Sequence, residues 1–208
     1  MSTLAPGIDY IDLNFVGKPE IIATAIHLHA LDDAEADANV AMMQARGDMQ
    51  DAVLIGFCRR EQGFLVAPGN PMKIGSIADV LAKSARMAQR PKGAGAQLLL
   101  LALLQQAKVT PEKLSNGPMC PTGPDIAQAI RAGRADTGIA TRSVAAALGL
   151  DFVPILWEPF DLLMRQRDYF REPSQALVQF LRGVEFRTRA NELGGFDVSA
   201  AGAVRFVN

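Results

Sequence analysis

The chain is short of the residues that build framework and metal sites. Its 208 residues include two cysteines and two histidines. Cys58 and Cys120 supply neither a disulfide framework nor a four-ligand zinc site. His27 and His29 stand two apart, so on a strand they share one face. Chelation would need a third ligand from Asp32 or Asp33, and an architectural role is expected instead, with no metal and no cofactor. Neither sign of charge dominates: 21 Lys and Arg face 22 Asp and Glu, a net charge of −1. That argues against a nucleic-acid binder, which carries a basic excess or stripe. Long apolar runs are also missing. The longest, "LLLLALL" at 98–104, has the length of a buried helix segment and not of a membrane span. The first residues show no basic stretch followed by an apolar one, so no signal peptide is read and a cytoplasmic location is expected.

What the chain does have is apolar bulk, 49% of residues, enough for a packed core. Residues 8–16 alternate loosely, as in a strand, and 20–31 are apolar enough for a helix or a strand. "AVLIGFC" (52–58) is a short apolar run of the buried-strand kind. "QGFLVAPGNP" reads as a second strand, broken at Pro68-Gly69-Asn70-Pro71. Ser76 with Asp79 resembles a capping box opening a helix. "RMAQRP" is a short strand, and Gly93 and Gly95 lead into a leucine-rich helix through 104. Asp125 supplies acid at another helix start, and Gly133 is placed to end that helix. "ADTGIA" is a strand and "TRSVAAALGL" a helix stopped by Gly149. "FVPILWEPFDLLMRQ" holds one or two strands with Pro159 between them. An amphipathic stretch, one helix or two, follows at 174–193 before a turn-rich end. Strands alternating with helices predict an α/β class with a largely parallel sheet.

Several blocks, in order, resemble one family. "CRREQGFLVAPGNPMKIGSIADV" (58–80) is similar to the Arg-Arg-x-Gln-Gly … Gly-Asn-Pro … Ile-x-x-hydrophobic-x-Asp segment of the molybdate-type periplasmic-binding-protein-like domains. "RPKGAGAQLLLLALL" (90–104) stands where that family has Arg-Gln-x-Gly-Ser-Gly-Thr-Arg opening a leucine-rich helix. Residues 122–163 resemble its Thr-His … Gly-x-Ala-Asp-x-Gly … Gly-Leu-x-Phe-x-Pro … Glu-x-Tyr-Asp-Leu run, and "LGGFDVSAAG" its terminal Gly-Gly-Tyr-Asp. The resemblance spans about residues 27–202 and implies the two-lobed type 2 binding-protein fold. One lobe would take 1–75 with 160–208 and the other 76–159. It also implies binding of a small oxyanion such as molybdate or tungstate, without catalysis.

The resemblance places a ligand cleft at Arg60, Arg90, Gly93, Ala94, Gly95, Ala96, Gln97 and Thr122. Backbone N–H groups at helix N-termini there favour an anion, and Arg90 adds charge. Two departures stand out. Ala94, Ala96 and Gln97 replace the family's Ser, Thr and Arg, and Gly123 replaces its His. Each lost donor in a buried site costs about 1–3 kcal/mol. The chain also supplies little before His27, so the first lobe reads as incomplete. Both departures suit a second reading: a degenerate domain kept as an accessory subunit. An enzyme built on Cys120 is the third and weakest, because no base can be set beside it. An incomplete lobe leaves strand edges and apolar faces to cover, so a homodimer or a place in a larger complex is expected, with residues near 8–30 and 52–58 in the contact.

Overall fold

The computed structural model describes residues 8–12, 22–26, 38–45 and 51–207. His27 and His29 lie outside the described residues. The chain divides into two compact units. The first takes residues up to Arg59, then Glu158–Glu192 and Phe196 onward; the second takes Arg60–Trp157 with Leu193–Gly195. The divide on the first pass falls at 59/60 and not at 75/76. The reason is β3 (Ala52–Val66), which is one continuous strand where two were expected. Its second half pairs with β6 (Thr137–Thr141), from Gln62 opposite Thr141 to Val66 opposite Thr137, and this carries residues 60–75 into the second unit. Arg59 to Gln62 therefore lie inside a strand and not in a connection.

In the first unit, β1 (Ile8–Asp12) pairs antiparallel with β2 (Ile22–Ile26), and β2 with β7 (Asp151–Arg165), Thr24 facing Leu163. The segment 52–58, expected to be a bare edge, is covered. β9 (Val204–Val207) pairs antiparallel with it, Val53 opposite Val207. Helices α7 (Glu172–Arg182) and α8 (Val184–Leu193), separated at Gly183, follow α6 (Gln166–Tyr169). Leu177, Val178 and Leu181 pack on Val53, Ile55, Leu162 and Met164. Helix α1 (Ala38–Ala45) puts Met43 against Leu54 and Leu163. The buried Asp161 carboxylate holds Arg205 at 2.6 Å and the Asn39 amide at 2.7 Å, partners 44 and 122 positions away in the chain. β7 also runs through Pro159 without a break, since a proline removes one ladder donor and not the extended backbone.

In the second unit the strand order is β3-β6-β4-β5, with β4 at Arg86–Gln89 and β5 at Ser115–Met119. The expected mainly parallel sheet is mixed. β4 runs parallel to β5 and β6, while β3 is antiparallel to β6 and β9. Parallel pairing needs a long crossover, usually a helix, to return the chain, and β4, β5 and β6 each lead into one. These are α3 (Gly95–Gln106), α4 (Gly123–Arg131) and α5 (Arg142–Ala147). Ser76 caps α2 (Ile77–Ala82), its Oγ accepting from Asp79 N–H at 3.3 Å. Leucines 99, 100, 103 and 104 of α3 bury against Phe64, Ile74, Val80 and Met87 on one side of the sheet. Ile126, Ala127 and Ile130 of α4 pack with Leu65, Ala88 and Ala140. Gly133 (φ +65°) ends α4 and Gly149 (φ +65°) ends α5, as the sequence indicated. The outcome is one edge, at the carboxyl ends of β4, β5 and β6, onto which three helices open.

Candidate functional site

All eight residues singled out from the sequence lie in the second unit, at or beyond that carboxyl edge. Gly93 takes φ +92°, a left-handed turn that only glycine adopts without strain. Ala94 is the N-cap of α3, with φ −66° and ψ 139° and no side-chain acceptor. Its carbonyl receives the N–H groups of Gln97 and Leu98 at 2.9 and 3.0 Å. The N–H groups of Gly95 and Ala96 thus precede the first intrahelical bond, in the turn where an α-helix offers donors outward. The alanine methyls add bulk without polarity.

Gln97 does not replace the missing hydroxyls. Its amide oxygen accepts the backbone N–H of Arg90 at 2.9 Å, and its amide nitrogen donates to Gln89 Oε1 at 3.1 Å. It ties the end of β4 to the first turn of α3. Arg90 is half-buried beside it, and its charge reaches the Cys120 thiol. Arg60 stands two residues before Gln62, which pairs with Thr141, so it lies just past the carboxyl end of β6.

The entrance of α4 is closed on itself. Asp125 N–H donates to Thr122 Oγ1 at 3.3 Å, completing a capping box. An acidic side chain already occupies the positive end of this helix, so Thr122 serves as a cap and not as an open donor. Cys120 is buried, and burial, followed by the nearby Asp125, pushes its thiol pKa up. That is the opposite of what a nucleophilic thiol needs.

The sequence reading missed the entrance of α5. Thr141 is its N-cap, and its hydroxyl hydrogen-bonds the Ser143 hydroxyl at 2.9 Å on the same edge. Arg142 between them forms a two-pronged ion pair with Glu61, Nε with Oε2 and Nη2 with Oε1 at 3.0 Å. The Glu61 hydrogen bonds raise the pKa of the Arg142 guanidinium. The signal was the pair of hydroxyls flanking an arginine in "TRS", directly between a strand and a helix. Among the described residues no group of three His, Cys, Asp or Glu could hold a metal ion, and no helix is long and apolar enough to cross a membrane.

An edge of this kind, with parallel strands feeding helix N-termini, is the usual binding crevice of open α/β sheets. The fold around it is the two-lobed type 2 fold of periplasmic-binding-protein-like proteins. Residues 18–182 match the PBP superfamily domain, and the chain belongs to that family. Over 191 residues it is 25% identical to the Bacillus subtilis protein YvgK, covering 91% of this chain and 60% of YvgK. The chain thus spans about three-fifths of that relative's length. The tungstate ABC transporter structure from Geobacter sulfurreducens shares the fold with a TM-score of 0.53 at 15% identity, over 82% of this chain and 77% of that one. L-phospholactate-bound PEB3, a protein of Campylobacter jejuni, does so with a TM-score of 0.52 at 14% identity, over 79% and 77%.

Proposed function

We propose that this chain is a non-catalytic receptor domain for a small oxyanion, of the molybdate and tungstate class, held at the first turn of α3 and serving molybdenum or tungsten metabolism. The observation that carries the reading is a contrast between helix starts. α2 and α4 each bring their own carboxylate, Asp79 and Asp125, to their first turn. α3 brings none, has no side-chain cap, and is entered through a left-handed glycine; α5 also lacks a carboxylate and a side-chain cap, but its first residue is the ion-paired Arg142 and no glycine turn leads into it. An anion there meets outward N–H groups and the positive end of the helix. Arg90 and Arg60 on the same edge supply the opposite charge. The names of two structural neighbours agree in kind, one carrying tungstate and the other L-phospholactate.

A second reading is favoured by how the remaining polar groups are used. Gln97 is committed to Gln89 and Arg90, and Thr122 to Asp125. A domain that spends its donors internally suits an accessory subunit without a ligand. Titration calorimetry with molybdate, tungstate, sulfate and L-phospholactate separates the two. Saturable heat with one or more of these anions is the expected result, and silence with all four leaves the accessory reading.

A further inference from the structure

Arg142 stands at the centre of a closed ring of contacts, all within the second unit. Its guanidinium grips the Glu61 carboxylate with two prongs. The Glu61 backbone N–H donates to the Gly195 carbonyl at 2.9 Å. Gly195, at φ +74°, lies flat against the aliphatic stem of Arg142: a Cβ there would come within 2.7 Å of the arginine Cβ. Beneath the guanidinium, 4.4 Å away, is the ring of Phe152. Glu61 is buried, 8% exposed, although carboxylates are seldom buried without a partner.

These three partners belong to the three stretches by which the chain enters or leaves this unit. β3 crosses the boundary one residue before Glu61. β7 carries Phe152 toward the boundary at Trp157. Gly195 belongs to the short return of Leu193–Gly195. We infer that Arg142 is a positioning residue, a clamp that fixes all three connecting stretches to the start of α5. Since α5 begins directly after Thr141, the clamp sets these stretches against the same edge that presents the α3 turn. The sequence supplies what each contact needs: a forked cation, a carboxylate on the inward face of a strand, a flat aromatic, and a residue without a side chain.

Hydrogen exchange followed by mass spectrometry on the full chain tests the clamp without any ligand. Arg142→Gln is expected to raise amide exchange in 60–64 and 193–197 at least about tenfold, the worth of a charge-assisted double hydrogen bond. Exchange in α3 and in β4 should stay unchanged. Glu61→Gln should do the same, and the double variant should match either single change and not their product, because the two residues act as one unit. Arg142→Lys keeps the charge without the fork and gives a milder form should the glutamine variant fold poorly. Unchanged exchange in both stretches, a uniform rise across the unit, or independent effects of the two residues would each overturn the clamp.

Discussion

The Asp125 carboxylate takes two hydrogen bonds from one residue: Thr122 Oγ1 donates to it at 2.6 Å and Thr122 N–H at 2.8 Å. This reciprocal cap decides how the entrances of α3 and α4 divide their work. Thr122→Ala should cost about 1 kcal/mol of stability, the usual worth of a hydroxyl cap. It should leave anion affinity where it was. Urea denaturation alongside calorimetry checks both. A loss of affinity larger than the loss of stability would return Thr122 to the ligand.

Gly93 has no heavy atom within 4 Å of where a Cβ would stand, so space is not what excludes a side chain. The backbone conformation is. Gly93→Ala is expected to cost about 1–2 kcal/mol from the left-handed φ alone and to weaken anion binding by misaiming the Gly95 and Ala96 N–H groups. Gly69→Ala makes the control: its φ is +77°, it is equally open, and it lies in the turn after β3. It should lose stability and keep affinity. Equal affinity in the two variants would take the turn out of the site.

Asp136 pins two strand starts together. It receives the Arg86 backbone N–H at 2.7 Å and the Arg86 guanidinium at 2.7 and 3.0 Å. The Arg86 fork, more than the backbone bond, holds its carboxyl below the ordinary 3.8. The unfolded chain therefore takes up this proton first. The contribution to stability is whole above 3.8 and fades as pH falls through the lowered folded value. Asp136→Asn should cost about 1 kcal/mol at pH 7, held down because Arg86 is half exposed. The gap between variant and parent should persist to pH 5 and narrow in more acid solution. A gap that widens on acidification would contradict the assignment.

In the first unit, Asp161 is 1% exposed and holds both Arg205 and Asn39. Removing one member of a buried charged pair costs about 3–5 kcal/mol, because the other is left in a poor solvent. Asp161→Ala should lower stability by that amount and loosen β9 from β3, read as faster exchange at 204–207. A loss below about 1 kcal/mol would mean that water reaches Arg205 freely.

Much of this was legible in the sequence because it is local. Turn glycines at 93, 133 and 149, the cap at Ser76, and the leucine stripe of α3 are set by neighbours within a few residues. The carboxyl edge could be placed from the order of strands and helices and from a resemblance. Pairing across the chain was not legible. β3 looked like two strands because Arg59 to Gln62 interrupt the apolar pattern, and the residue that buries Glu61, Arg142, is 81 positions away. The antiparallel cover of 52–58 by β9 hid for the same reason: a short strand after a turn-rich segment carries little periodicity. The resemblance implies Thr122 as a ligand group, and the sequence marks Asp125 only as an acid at a helix start; that the two side chains cap each other is a matter of local geometry that a matched motif does not carry.

The central claim is that the first turn of α3 is an anion seat because it lacks an acceptor of its own. Ala94→Asp supplies one. Ala94 already has the extended backbone of an N-cap, so the aspartate can close on the first-turn N–H groups as Asp125 does in α4. This variant should be more stable than the parent, by about 1 kcal/mol, and calorimetry should find its binding of molybdate, tungstate or L-phospholactate abolished. A folded Ala94→Asp variant that binds the same anion with undiminished affinity would contradict the claim.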